Sequence, residues 1–183
     1  MAQNSLEWAE KEKRELLKTK VLTVNEITSV APNGETGDYI VMDAPDWVIV
    51  IPELNGNFLM VKQWRHGNKS LSIEFPGGVI NHGEAPEDAA KREMQEETGY
   101  SAGTLTYLGS ANPNPALMRN HVHFFAAGDL TGTGIQHLDE DEFVEYMQIP
   151  IEEVYANIGS EVYPHALMMS ALLAYKLWKE KKA

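Results

Sequence analysis

The sequence contains no cysteine, which excludes disulfide bonds and thiolate metal sites. This composition is typical of a reducing compartment, so we predict a cytoplasmic protein. It also lacks any apolar run near the roughly 20 residues of a membrane span, and its amino terminus is rich in Glu and Lys, unlike a signal peptide. We therefore expect no membrane partner.

Basic residues are scarce, with 15 Lys and Arg against 27 Asp and Glu, for a net charge of −12. A surface that binds nucleic-acid phosphates needs clustered Lys and Arg, so we expect no nucleic-acid partner. A small anionic substrate stays possible if metal ions and a few local cations receive it. The 183 residues suffice for one domain plus an extension.

One stretch, residues 74–100, combines a glycine-rich turn with a helix. Gly77-Gly78 can adopt backbone angles closed to other residues, Pro86 suits a first helical turn, and Gly99 suits a helix end. We therefore predict a turn that leads into a helix with defined limits.

Three carboxylates share one face of this helix, because Glu93, Glu96 and Glu97 stand at i, i+3 and i+4. Such a face repels itself unless a cation lies there, although an acidic solvated face is the alternative. Oxygen-only ligands favour a hard divalent ion, Mg²⁺ or Mn²⁺. Arg92, the cation within the cluster, can hold a neighbouring carboxylate in place by a forked hydrogen bond.

This spacing resembles the box of the Nudix hydrolases. The positions that match are Gly78, Glu84, Arg92, Glu93, Glu96, Glu97 and Gly99, followed by Tyr100 where an aliphatic residue is commoner. The resemblance implies a hydrolase that uses divalent metal to split a diphosphate linked to another group. It also implies metal binding by Glu93, Glu97 and Glu96, the last with a possible catalytic part, and an outer structural role for Glu84.

The stretches QWRHG and SIEFPGG resemble the ADP-ribose pyrophosphatases within that superfamily. In those enzymes the residue matching Arg65 contacts the diphosphate, the residue matching Glu74 lies in the site, and the carbonyl matching that of Gly77 binds metal. We add Gly78 as a candidate substrate-binding residue. Pro115, sixteen residues beyond Gly99, also matches the subfamily, although it could be a turn proline without bearing on substrate.

Two further residues are candidates with open alternatives. Trp47, at the start of a strand, could lie under a nucleotide base or simply pack on the sheet. In the subfamily a glutamate from a loop after the box assists as general base. We place that role on Glu142, with Glu140 second, while a solvated loop charge is the alternative for both.

The periodicity predicts an α+β fold, and the resemblance makes it the Nudix α/β/α sandwich with a mixed central sheet and an N-terminal antiparallel β extension. We predict a helix and a β ribbon in residues 1–44, as a dimerisation region of a homodimer, and a hydrolase domain in 45–183. The predicted helices cover 5–18, 86–98, 150–159 and 164–182, and the predicted strands cover 19–30, 38–43, 46–52, 57–65, 104–110, 121–127 and 142–149.

The implied reaction is hydrolysis of a nucleoside diphosphate sugar, with ADP-ribose preferred and AMP and ribose 5-phosphate as products. GDP-mannose, other nucleotide sugars, dinucleotides and nucleoside triphosphates are alternative substrates. A nucleotide-sensing module that binds without cleavage is the alternative outside the enzymes.

Overall fold

The computed structural model describes residues 6–138 and 142–182, so Glu140 lies outside the described residues. The strands are β1 (Ala9–Lys18), β2 (Thr23–Val30), β3 (Thr36–Asp43), β4 (Trp47–Leu54), β5 (Asn57–Arg65), β6 (Ser70–Glu74), β7 (Tyr100–Ser101), β8 (Thr104–Ala111), β9 (Val122–Gly128), β10 (Thr131–Gly132) and β11 (Val144–Pro150). The helices are α1 (Pro86–Thr98), α2 (Ile151–Asn157) and α3 (Ala166–Glu180). No helix in this described part is both long and apolar enough to cross a membrane.

The chain forms two compact units. The first combines the residues up to Pro45 with the segment 112–121, and the second combines 46–111 with the residues from Val122 onward. Our predicted division after residue 44 did not include the returning segment 112–121. Dimerisation through residues 1–44 stays a prediction.

The first unit is a three-stranded antiparallel sheet in the order β1-β2-β3. The helix predicted over 5–18 is wrong, because residues 9–18 form a strand that pairs with β2 along its length. Its Glu, Lys and Leu residues favour a helix, but cross-strand partners outweigh that preference. Arg14, for example, lies opposite Glu26, and its Nη2 is 2.8 Å from the Glu26 Oε1.

The second unit contains a mixed sheet in the order β11-β5-β4-β9-β8, with β6 also paired to β5. The pair β4 and β9 is parallel, and the other pairs are antiparallel. Asn55 and Gly56 have φ values of 51° and 78°, so they form the tight hairpin turn predicted between β4 and β5. This confirms the α+β class with a mixed sheet.

Helices cover both faces of this sheet because the residues of β4 from Trp47 to Ile51 are all apolar and point alternately to the two faces. Val48 and Val50 pack against Ala89, Ala90 and Met94 of α1. On the other face Ile49 and Ile51 belong to a core that includes Met168, Ala171, Leu172 and Tyr175 of α3. The second unit is therefore an α/β/α sandwich, as predicted.

Helix α1 begins and ends where the sequence indicates. Pro86 lies in its first turn, followed by Glu87 and Asp88 at the positive end of the helix dipole. Gly99 ends the helix in the left-handed conformation, with φ 72°, and its N–H donates to the carbonyl of Gln95. These limits fix which side chains face the glycine-rich turn.

Candidate active site

The glycine-rich turn lies tightly between β4 and α1. The N–H of Val50 donates to the carbonyl of Pro76, and the N–H of Val48 donates to that of Gly78, both at 2.9 Å. A Cβ at Gly77 would collide with the carbonyl of Val48. A Cβ at Gly78 would lie 2.5 Å and 2.6 Å from the two carboxylate oxygens of Glu93. Both glycines are needed for the sheet, the turn and the box helix to approach this closely.

Two box carboxylates are buried against this turn. Glu97 is 4% exposed and accepts a 2.8 Å hydrogen bond from the N–H of Gly77. The pKa of Glu97 is raised to about 8, chiefly by burial and to a smaller extent by the neighbouring Glu93 and Glu142, against the opposing hydrogen bond from Gly77. Burial also raises the pKa of Glu93, although Arg92 opposes the shift. The pair therefore stands in an environment that disfavours its negative charge.

Arg92 ties the box helix to the turn. Its Nε and Nη2 bind the two carboxylate oxygens of Glu84 at 2.9 Å and 3.0 Å, and its Nη1 binds Glu93 at 2.8 Å and Glu96 at 3.1 Å. The hydrogen bonds from Arg92 are the largest cause of the low pKa of Glu84, about 2. Glu84 is thus a permanently charged partner of Arg92, which agrees with an outer structural role.

The box carboxylates and the backbone carbonyl of Gly77 offer only oxygen ligands, which are the ligands that a hard divalent cation prefers. Among residues 6–138 and 142–182, no three His, Asp or Glu side chains converge closely enough to hold a metal ion by themselves. Glu93 and Glu96 bind Arg92 instead, and Glu97 binds the backbone of the turn. Nevertheless, buried carboxylates with raised pKa values gain most from a nearby cation, and the Gly78 cradle holds the Glu93 carboxylate in place.

A second charged group lies at the end of β5 and β6. Arg65 donates from Nε and Nη2 to the two oxygens of Glu74 at 2.8 Å and 2.6 Å. Glu74 is fully buried, and burial, the largest single effect, acts to raise its pKa, but the hydrogen bonds and the charge of Arg65, with smaller contributions from His165 and Ser72, together lower it. Arg65 also acts to lower the pKa of Glu97, so its charge reaches the box carboxylates.

A cavity of about 290 Å³ adjoins the turn and this ion pair. Its lining brings together four predicted substrate residues and the predicted metal ligand Gly77. The lining residues are Trp47, Val48, Ile49, Arg65, Glu74, Phe75, Gly77, Gly78, Val79, Val122, His165, Leu167 and Met168. Trp47 is half-buried and packs against the core, as the sheet-packing alternative expects, and it also lines the cavity.

His165 is a cavity residue that the sequence analysis missed. It caps α3, where its Nδ1 accepts from the N–H of Leu167 at 3.1 Å, so in the neutral ring Nε2 carries the proton. Burial lowers its pKa, which keeps the ring neutral near pH 7. Pro164-His165 before an apolar periodic run could have indicated a helix cap, but no sequence signal pointed to the cavity.

The other predicted residues fall in two places. Glu142 raises the pKa values of both Glu93 and Glu97, so the predicted general base lies near the box carboxylates. Pro115 belongs to the first unit, where it is exposed in a turn whose Asn114 carbonyl accepts from the N–H groups of Leu117 and Met118. Its part in substrate binding stays a prediction.

Comparison with known proteins agrees with this site and fold. The model of the NUDIX domain matches residues 42–169. The chain is 35% identical over 154 residues to the ADP-ribose pyrophosphatase of Bacillus subtilis (strain 168), covering 82% of this chain and 83% of that protein. It is 34% identical over 124 residues to the methanol dehydrogenase activator of Bacillus methanolicus, covering 67% of each.

The crystal structure of an ADP compounds hydrolase matches with a TM-score of 0.87 and 23% identity, and covers 99% of both chains. This match confirms the predicted fold. The chain belongs to the NUDIX domain family, and the resemblance identified from the box residues is confirmed.

Proposed function

We propose that this protein hydrolyses the diphosphate of nucleoside diphosphate sugars and prefers ADP-ribose, which reacts with one water to give AMP and ribose 5-phosphate. The observation that carries the proposal is the arrangement of two buried carboxylates with raised pKa values, Glu93 and Glu97, against the glycine turn of a cavity that is also lined by the Arg65–Glu74 ion pair. A named ADP-ribose pyrophosphatase at 35% identity supports the substrate.

Divalent metal would be held by Glu93, Glu96, Glu97 and the carbonyl of Gly77, with Mg²⁺ preferred and Mn²⁺ possible. The N–H of Gly77 donates to Glu97, so the backbone of Gly77 lies beside the box carboxylates, which supports its carbonyl as a candidate ligand. When bound, such a cation neutralises diphosphate charge and makes the attacking water more acidic.

Arg65 would bind the diphosphate and stabilise the charge that develops there. Two of its five N–H donors bind Glu74, which fixes the plane of the guanidinium group and leaves other donors to meet phosphate oxygens. The backbone at Gly78 and the ring of Trp47 border the same cavity and would contact the phosphates and the base. We keep Pro115 as a candidate substrate residue.

Glu142 would act as the general base and accept the proton of the attacking water at its carboxylate, with Glu140 as second candidate and Glu96 as a further contributor. The support is the electrostatic effect of Glu142 on both Glu93 and Glu97, which requires that Glu142 lies close to them.

We also propose that the protein is cytoplasmic and forms a homodimer. The dimer would form through residues 1–44, because the apolar side chains of Trp8, Leu16 and Leu17 are exposed there.

The test is product analysis of a nucleotide panel with Mg²⁺ that contains ADP-ribose, GDP-mannose, UDP-glucose, NADH, diadenosine polyphosphates and dGTP. We expect AMP mainly from ADP-ribose, and a loss of about 10³-fold in kcat/KM for Glu97→Gln. Glu87→Gln is the matched control, because Glu87 lies on the same helix but pairs with Lys91 at the surface.

Each other outcome has a distinct meaning. Comparable cleavage of several nucleotide sugars would replace the ADP-ribose preference with a broad one. Tight binding of ADP-ribose without turnover at any Mg²⁺ or Mn²⁺ concentration would support the nucleotide-sensing alternative and overturn hydrolysis.

A further inference from the structure

Residues 133–137 are held against the last turn of α1. The N–H of His137 donates to the carbonyl of Glu96 at 2.9 Å, and the N–H of Thr133 donates to that of Gly99 at 3.3 Å. Gly99 permits this approach, because a Cβ there would collide with the backbone of Ile135. The last carbonyls of a helix lack partners within the helix, so this segment supplies them.

Gln136 makes the most informative of these contacts. Its side-chain Nε2 donates to the carbonyl of Glu97 at 2.6 Å and to the carbonyl of Val144 at 3.2 Å. One amide group therefore uses both hydrogens to join the box helix to the first residue of β11. Val144 lies two residues beyond Glu142, so this link reaches Glu142 from the strand side of its loop.

We propose that Gln136 is a positioning residue that fixes Glu142 relative to the box carboxylates. The inference rests on the proposed function, in which Glu142 accepts a proton from water. The bridge joins the backbone of Glu97 to that of Val144, two residues beyond Glu142. With the bridge in place, the backbone on the strand side of Glu142 stays at a fixed distance from the last turn of the box helix, and this limits how far the Glu142 carboxylate can move from Glu93 and Glu97.

The expected effect is on turnover and not on substrate binding. A displacement of about 1 Å in a reacting group costs roughly 100-fold in rate. Gln136→Met keeps the volume and removes both donors, so we expect kcat for ADP-ribose to fall about 30-fold with KM changed less than about 2-fold. Gln148→Met is the matched control on β11, since Gln148 donates to the exposed Tyr146 hydroxyl and not to the box helix.

A double-mutant cycle separates positioning from a general loss of structure. If Gln136 acts through Glu142, Gln136→Met in the Glu142→Gln background lowers kcat less than about 2-fold further. A full additional loss in that background would overturn the proposal, as would a wild-type kcat in Gln136→Met alone.

Amide hydrogen exchange gives a readout that does not depend on activity. Gln136→Met should speed exchange at Glu142 and its neighbours, while Gln148→Met leaves them unchanged. Unchanged exchange in both variants would overturn the bridge. A wild-type protein without turnover would overturn the proposed function, and the exchange result would still decide whether Gln136 holds this loop.

Discussion

Two parts of the second unit each bury a glutamate, but they treat its charge in opposite ways. At the end of β5 and β6, Glu74 is fully buried and burial acts to raise its pKa, but the forked hydrogen bonds and the charge of Arg65, with smaller contributions from His165 and Ser72, together lower it. In the last turns of α1, burial raises the pKa of Glu97 to about 8, although Gly77 donates a backbone hydrogen bond.

The difference separates a buried carboxylate that has its own cation from one that lacks a cation. The Glu74 carboxylate lies at hydrogen-bond distance from the full positive charge of Arg65, so the negative charge of Glu74 is balanced within the chain. Glu97 has like charges nearby in Glu93 and Glu142, and it gains from any cation that enters. A carboxylate kept short of positive charge is costly for stability, and such sites are commonly functional.

The largest expected effect comes from breaking the complete pair. Arg65→Met leaves the buried Glu74 carboxylate without its cation, so we expect the free energy of unfolding to fall by about 4 kcal/mol. Urea denaturation at neutral pH measures this loss. Activity should fall with it, because Arg65 is also the proposed diphosphate ligand.

Two controls test that explanation. Arg65→Met with Glu74→Met removes both charges and should recover at least half of the lost stability, since an apolar pair carries no unpaired charge. Arg14→Met breaks the exposed pair with Glu26 and should leave stability unchanged. If the double variant is as unstable as the single one, packing and not charge explains the loss.

The second effect concerns pH and the metal-free protein. The pKa of Glu97 is about 8 in the folded state against an ordinary value of 4.5, so the folded state binds more protons between these values. Stability from this group is therefore complete below about pH 4.5 and is lost as pH rises toward 8. We expect a loss of roughly 3 kcal/mol from about pH 5 to pH 8 in the presence of EDTA.

Glu97→Gln should remove most of this loss, because the amide can still accept from Gly77 but does not ionise. The raised pKa of Glu93 acts in the same direction as that of Glu97 and is present in both proteins. The lowered pKa of His165 makes stability rise with pH, and the lowered pKa values of Glu74 and Glu84 act below the range tested. The difference between wild type and variant therefore isolates Glu97. If the plots of unfolding free energy against pH are parallel for the two proteins, ionisation of Glu97 does not cause the loss of stability.

Sequence reasoning succeeded where local chemistry determines structure. Gly77-Gly78, Pro86 and Gly99 each indicated a backbone geometry, and the turn and helix α1 follow them. The spacing of Glu93 and Glu97 on one helix face likewise follows from helical geometry. These parts of the fold and site could be predicted because each depends on neighbours in the chain.

Sequence reasoning failed where contacts between distant segments determine the structure. Residues 9–18 have strong helix propensity, but pairing with β2 makes them a strand. His165 and Gln136 reach the site only after α3 packs on the sheet and the segment after β10 packs on α1. Neither carries a local signal for its contacts, so folding in three dimensions has to be known first.

The smallest expected effect sharpens the comparison at the cavity, where neutral His165 lies beside the charged Arg65 and Glu74. His165→Asn keeps an acceptor for the N–H of Leu167, so the cap of α3 is preserved, but it removes the Nε2–H donor. If that donor binds substrate, KM for ADP-ribose should rise about 10-fold with kcat nearly unchanged. His165→Ala should raise KM equally and also lower stability by about 1 kcal/mol through loss of the cap. Steady-state kinetics and urea denaturation of both variants test whether His165 binds substrate. A wild-type KM in His165→Ala would show that His165 acts only as a helix cap. The proposed recognition of substrate would then rest on the charge of Arg65.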